Sequence, residues 1–166
     1  FRFRFEPHQY FISSLPDELD FTLIAVAEQD ESGHTPLSDF GFMPLLKKQN
    51  KLKAGECLSI IQHPAGEHKQ IAIRENKLID ADDVFIRYQT DTAPGSSGSM
   101  VTNDQWEVVA LHHSGVPKRD KQNRILARNG KPWDEETMSD DKIDWVANEG
   151  VKINRIIDAV LAEQKK

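Results

Sequence analysis

Apolar and polar positions change over along this chain in short runs. Residues 1–5, FRFRF, alternate aromatic and basic side chains with period two, which predicts a half-buried strand. Residues 19–27, LDFTLIAVA, are almost continuously apolar and predict a strand buried on both faces. Residues 28–50 carry Pro36, Pro44 and two glycines and read as a connection. Five more short strands follow, at 55–64, 69–76, 83–90, 98–102 and 106–114, with Pro, Gly, Asn and Asp in the breaks between them. Short strands at this spacing, with no helix between them, predict a β-barrel or sandwich. In 117–149 the texture changes. Fifteen of 33 residues are charged, seven basic and eight acidic, which predicts a long polar surface loop with little core of its own. GVKI at 150–153 reads as one more strand. Asn154 is placed to cap a helix over 155–166, with Ile156, Ile157, Val160 and Leu161 on one stripe and lysines at its C-terminal end.

At 166 residues the chain is long enough for one ordinary domain or two small barrels sharing an interface. Its net charge of −6 argues against a nucleic-acid-binding surface, and no apolar run approaches the roughly 18 residues of a membrane span. Cys57 is the single cysteine, so no internal disulfide forms. That leans toward a reducing, cytoplasmic setting and also fits disulfide-free secreted proteins. The sequence begins at Phe1 without an initiator methionine, so an N-terminal part is expected upstream.

The chemistry concentrates in TAPGSSGSMV, 92–101. A Gly/Ser cluster between strands is by default a turn. It also has the layout of a serine nucleophile. The glycines permit a tight turn and leave room for a substrate backbone, with Ser97 Oγ attacking and the Gly95 and Ser97 amides as an oxyanion hole. Asp20 opens an apolar strand, where it is either a surface turn residue or a carboxylate that orients a histidine. VVALHHSGV, 108–116, ends a strand in His112 and His113, either structural polar residues or functional ones.

Taken in this order, these segments resemble the chymotrypsin-like serine peptidases, and more closely the disulfide-free bacterial branch that includes the glutamyl endopeptidases. PGSSGSMV is similar to that branch's G-x-S-G-S-P-V nucleophile segment, with Met100 where proline is usual. LDFTLIAV is similar to its D-[FY]-[AT]-L aspartate strand. SIIQHPAG resembles the entry to the second barrel, and NEGVKINRIIDAVL the final strand and C-terminal helix. The resemblance implies an all-β, chymotrypsin-like double barrel with a C-terminal helix. Residues 1–27 would be the closing strands of an incomplete first barrel, 28–50 the connection, 51–154 the second barrel with the polar loop at 117–149, and 155–166 the helix.

The family's order is His, Asp, Ser, and the histidine falls well before the aspartate. Here only His8 precedes Asp20, in a context that does not match, and it reads as a surface loop residue. The expectation is a serine endopeptidase working on polypeptides through an acyl-enzyme. Ser97 is its nucleophile and Asp20 its triad acid, while the base lies in a missing N-terminal segment that this chain pairs with. The alternative is a catalytically inert, protein-binding relative. For specificity the resemblance implies a pocket with Asp91 at its floor, six residues before Ser97, and His112, His113, Ser114, Gly115 and Gly150 as walls. Asp91 would select Arg or Lys. Histidines in that pocket select acidic side chains in glutamyl endopeptidases, so the two cues conflict. Asp91 could also cap a turn with Thr92. His63 reads as a turn residue. No cofactor or metal is expected, because Cys57, His63, His112 and His113 lack the paired spacing of zinc ligands.

Overall fold

The structure is a computed structural model and describes residues 1–48, 52–73, 75–90, 93 and 95–165. Two antiparallel sheets carry the fold. The first is a two-stranded ribbon of β1 (Phe11–Ser13) and β2 (Thr22–Ile24), extended by a single bridge between Phe5 and Val26. FRFRF therefore makes one bridge rather than a strand. The 19–27 run gives a three-residue strand with Thr22 exposed, because a two-stranded ribbon covers only one face. Phe21, just before it, is buried and supplies the ribbon's anchor.

The second sheet has seven strands: β3 (Ser59–Gln62), β4 (Gln70–Ala72), β5 (Leu78–Ala81), β6 (Phe85–Tyr88), β7 (Met100–Thr102), β8 (Val108–Pro117) and β9 (Trp145–Lys152). Their order is β4-β3-β7-β8-β9-β6-β5. The sheet curls until its ends meet. Leu58 N–H donates to Asn76 O at 2.7 Å and Leu78 N–H to Glu56 O at 2.9 Å, joining the approach to β3 to the start of β5. Inside lie Leu58, Ile60, Leu78, Ile86, Tyr88, Val101, Val109 and Ala110, all nearly or fully buried. Each large member contributes about 1.5–3 kcal/mol by leaving water.

A second cluster of Phe21, Val108, Val151, Ile153 and Ile156 joins the ribbon, the outside of the sheet and helix α1 (Ile153–Glu163). The helix begins two residues earlier than its sequence suggests. Lys152 stands at the N-cap, so Asn154 lies within the first turn rather than capping it. Ile153 takes the buried place that Leu161, 42% exposed, does not. Lys165 falls beyond the last turn, and Lys166 lies outside the described residues.

The polar excursion departs most from its sequence expectation. β8 runs on to Pro117 and β9 starts at Trp145, so the hairpin reaches well into it. Between them, bridges join Arg119 to Ile125, Leu126 to Pro132 and Ala127 to Ile143. Ala127 and Ile143 are buried. The excursion thus has a small core of two side chains that its charge content conceals.

Candidate active site

The serine segment turns where its glycines allow it. Gly95 and Gly98 sit at φ 96° and 85°, a region that side chains disfavour. A Cβ at Gly95 would stand 3.4 Å from the His63 carbonyl oxygen, so the turn rests on residues 63–66. Gly98 N–H donates to His112 O at 2.8 Å and His112 N–H to Ser99 O at 2.9 Å, which fasten the turn to β8. Ser96 is buried, and the next residue, Ser97, is exposed at the apex. Among the described residues, neither the Gly95 nor the Ser97 N–H has an internal acceptor. The Ser97 hydroxyl donates to the backbone carbonyl of His113 at 3.2 Å.

Successive strand residues face opposite sides, so His112 and His113 diverge. His112 is 4% exposed, and its Nδ1 lies 2.8 Å from the Tyr88 hydroxyl. Burial, helped by neighbouring His113, pushes its pKa down to about 4, so the ring is neutral at pH 7. Burial likewise pushes the Tyr88 phenol up, and it stays protonated. His112 lines a cavity of about 690 Å³ that opens beside Ser97. Ser114 and Gly115 line it too.

His113 does not line that cavity. Its ring stacks on Phe85, centroids 5.4 Å apart, on the other side of β8. There Nδ1 lies 3.4 Å from Asp20 Oδ2 and Nε2 lies 3.2 Å from Glu149 Oε1. Glu149 in turn accepts from Arg87 Nε at 2.9 Å, and the other two guanidinium nitrogens reach Asp80 and Asp82, each at 2.8 Å. Those carboxylates, Asp80 first, hold the Arg87 pKa above its usual value. Backbone donation from Phe85, with smaller help from Val84 and Arg87, holds the Asp82 carboxyl below its usual range.

Asp20 therefore comes to His113 on β8, but not as a buried group. It sits at φ 44°, in the left-handed region that Asp tolerates, with its side chain 43% exposed at the mouth of β2. Gly150 pairs with His112 across the hairpin and is buried, and it does not line the cavity. The cavity's β9 wall comes earlier in that strand, from residues 145–148. Asp91 lies outside the described residues, with Thr92 and Pro94. The ring of none of the six histidines hydrogen-bonds the Ser97 hydroxyl, and His8 sits in an exposed turn. Among the described residues no group of three His, Cys, Asp or Glu side chains could hold a metal ion.

Residues 6–111 match the family model described as a trypsin-like peptidase domain. The chain belongs to that family. This trypsin-like peptidase domain is 42% identical over 175 aligned residues to the uncharacterized protein y4fB of Sinorhizobium fredii (strain NBRC 101917 / NGR234), covering 94% of the chain and 26% of that protein. It is 32% identical over 77 residues to exfoliative toxin A of Staphylococcus aureus, covering 46% of the chain and 27% of the toxin. The chain thus spans about a quarter of the length of the curated relatives it matches. A solved structure of Glu endopeptidase in complex with MPD superposes with a TM-score of 0.54 at 17% identity, over 89% of this chain and 55% of that one. The fold is chymotrypsin-like.

Much of what surrounds Ser97 in this peptidase domain carries no motif. Arg128, Asp140 and Asp141 reach the cavity from the polar excursion, and Trp145 from the start of β9. Arg87 had no signal beyond a charge in a predicted strand, and Glu149 fell in the run read as a polar loop. Only strand register, Arg87 opposite Glu149, brings them together.

Proposed function

We propose that this chain is the larger part of a serine endopeptidase active site, with Ser97 as nucleophile. The observation that carries the reading is the apex at Ser97. An exposed hydroxyl stands between glycines, beside two amides with no internal acceptor among the described residues, at the mouth of a cavity. Ser97 Oγ attacks the carbonyl carbon of a polypeptide and passes its proton to a histidine. The Gly95 and Ser97 amides hold the oxyanion. The histidine returns the proton to the leaving amine, and water releases the acyl group by the same steps. Asp20 orients that histidine. The histidine comes from polypeptide outside this chain that packs on the first sheet. There Phe1, Phe5, Phe11 and Leu15 are more than half exposed.

One observation favours a second reading, an inert binding module: the Ser97 hydroxyl is held by the His113 carbonyl, and the imidazole of that same residue has both nitrogens against carboxylates. Fluorophosphonate labelling separates the two. The endopeptidase reading expects labelling of the full-length protein, none in Ser97→Ala, and little on residues 1–166 alone. An unlabelled full-length protein overturns it.

A further inference from the structure

The cavity beside Ser97 has a donor at its base and acid on its wall. Tyr88 belongs to the core and does not line the cavity, whereas His112 does. The Tyr88 hydroxyl has His112 Nδ1 as its one hydrogen-bond partner among the described residues. A buried phenol with one partner satisfies its proton by donating, so Nδ1 accepts. The ring proton then sits on Nε2, the nitrogen that Tyr88 does not engage, on a ring that lines the cavity. Asn76 also lines the cavity. It is 1% exposed, and its Nδ2 has no hydrogen-bond partner among the described residues. The buried lining therefore offers donors that need an acceptor.

Charge narrows what the acceptor can belong to. Among the described residues, Glu75, Asp140 and Asp141, the last paired with Lys142, line the cavity against one guanidinium, Arg128. An incoming carboxylate meets that acidic excess. A lysine or arginine suits the wall but brings further donors to His112 and Asn76 and leaves both unpaired. A carboxamide brings an acceptor oxygen without charge, and its NH₂ can donate to the acidic wall.

We propose that this cavity receives an uncharged carboxamide side chain, so that the bond cut follows glutamine or asparagine and Nε2–H of His112 reads the carboxamide oxygen. The inference rests on the endopeptidase reading and names its substrate.

The test is a set of peptides identical except for Gln, Asn, Glu or Lys before the scissile bond. Each is given to the full-length protein, with fluorophosphonate labelling of Ser97 run beside it. We expect kcat/KM for Gln or Asn at least tenfold above Glu and Lys at pH 7. Tyr88→Phe frees the His112 tautomer and should shrink the Gln-over-Glu ratio several-fold. Should Tyr88→Phe not fold, the surface double variant Asp140→Asn/Asp141→Asn serves instead, and it should raise cleavage after Glu relative to Gln. A protein that labels at Ser97 but prefers Glu or Lys overturns this inference and leaves the endopeptidase reading standing. A protein that neither labels nor cuts any peptide overturns both.

Discussion

Nδ1 of His113 stands 3.4 Å from Oδ2 of Asp20. The same ring offers Nε2 to Glu149, so one imidazole spans two carboxylates from different parts of the chain. A neutral imidazole has a single N–H and serves one carboxylate at a time, while the protonated ring serves both. Stacking on Phe85 fixes the ring plane between them. On the endopeptidase reading, His113 holds Asp20 in place from outside the cavity. Its own carbonyl holds the Ser97 hydroxyl. On the endopeptidase reading, His113→Ala in the full-length protein should lower kcat about tenfold with KM little changed, the pattern of a positioning group. His113→Asn, which keeps one donor, should recover part of that loss. Equal losses in KM and kcat would assign the ring to substrate binding instead.

The buried neutral His112 makes stability depend on pH. Its pKa is about 4 folded, against 6.5 in an exposed chain. Between these values the unfolded chain binds the proton and the folded one does not, so stability falls as pH drops from about 6.5 toward 4. The full span corresponds to about 3 kcal/mol. Urea melts at pH 4.5 and 7.5 should show this loss in the parent chain and a smaller one in His112→Asn, while the carboxylates contribute equally to both. Equal losses would mean that the imidazole is solvated.

Two glycines of the β8–β9 hairpin differ in what surrounds them. A Cβ at Gly150 would meet the Leu111 carbonyl oxygen at 3.0 Å and Ala110 Cβ at 3.2 Å, inside a paired strand that cannot yield. Gly150→Ala should cost about 1–3 kcal/mol. At Gly115 the Cβ would lie 2.7 Å from Trp145 Cε3, and an indole 45% exposed can swing out. Gly115→Ala should therefore cost less, and it should shift tryptophan emission to the red as Trp145 leaves the cavity rim. Both are read from chemical melts with fluorescence detection.

Arg87 answers three carboxylates, but they are not equal. Asp80 and Asp82 are about half exposed, and such pairs contribute little. Glu149 is only 17% exposed. Arg87→Met should destabilise the fold by roughly 1–3 kcal/mol, because it strips a partly buried carboxylate of its main partner. Adding Glu149→Gln should return much of that loss. A double variant no better than Arg87→Met would place the cost elsewhere.

Strands with a period-two or continuous apolar pattern, such as SIIQ and FIRY, were legible from sequence, and so was the turn at Ser97 with its two glycines. β5 was not, because LIDA mixes one buried leucine with three exposed positions on a sheet edge. The length of β9 was hidden by WVANEG, whose polar residues face the cavity and the His113 network rather than solvent alone. The same holds for the excursion, where Ala127 and Ile143 find each other across 16 positions by bridging. Asp20 and Ser97 were recognisable as types. That the His113 ring meets Asp20 follows from which way each side chain of β8 faces, and HHS does not announce that.

The strand order carries a consequence for synthesis. β6 finds β9 only some 60 residues later, and β8 also needs β9 on its free edge. A nascent chain emerging from the ribosome therefore holds β6 with one neighbour until Lys152 is out. The wall that β9 gives to the cavity, and the Glu149 that steadies His113, arrive in that same late step. The Ser97 turn can form early, but the cavity beside it is closed only late in translation of this segment, so a half-made chain carries the serine without the wall that β9 supplies.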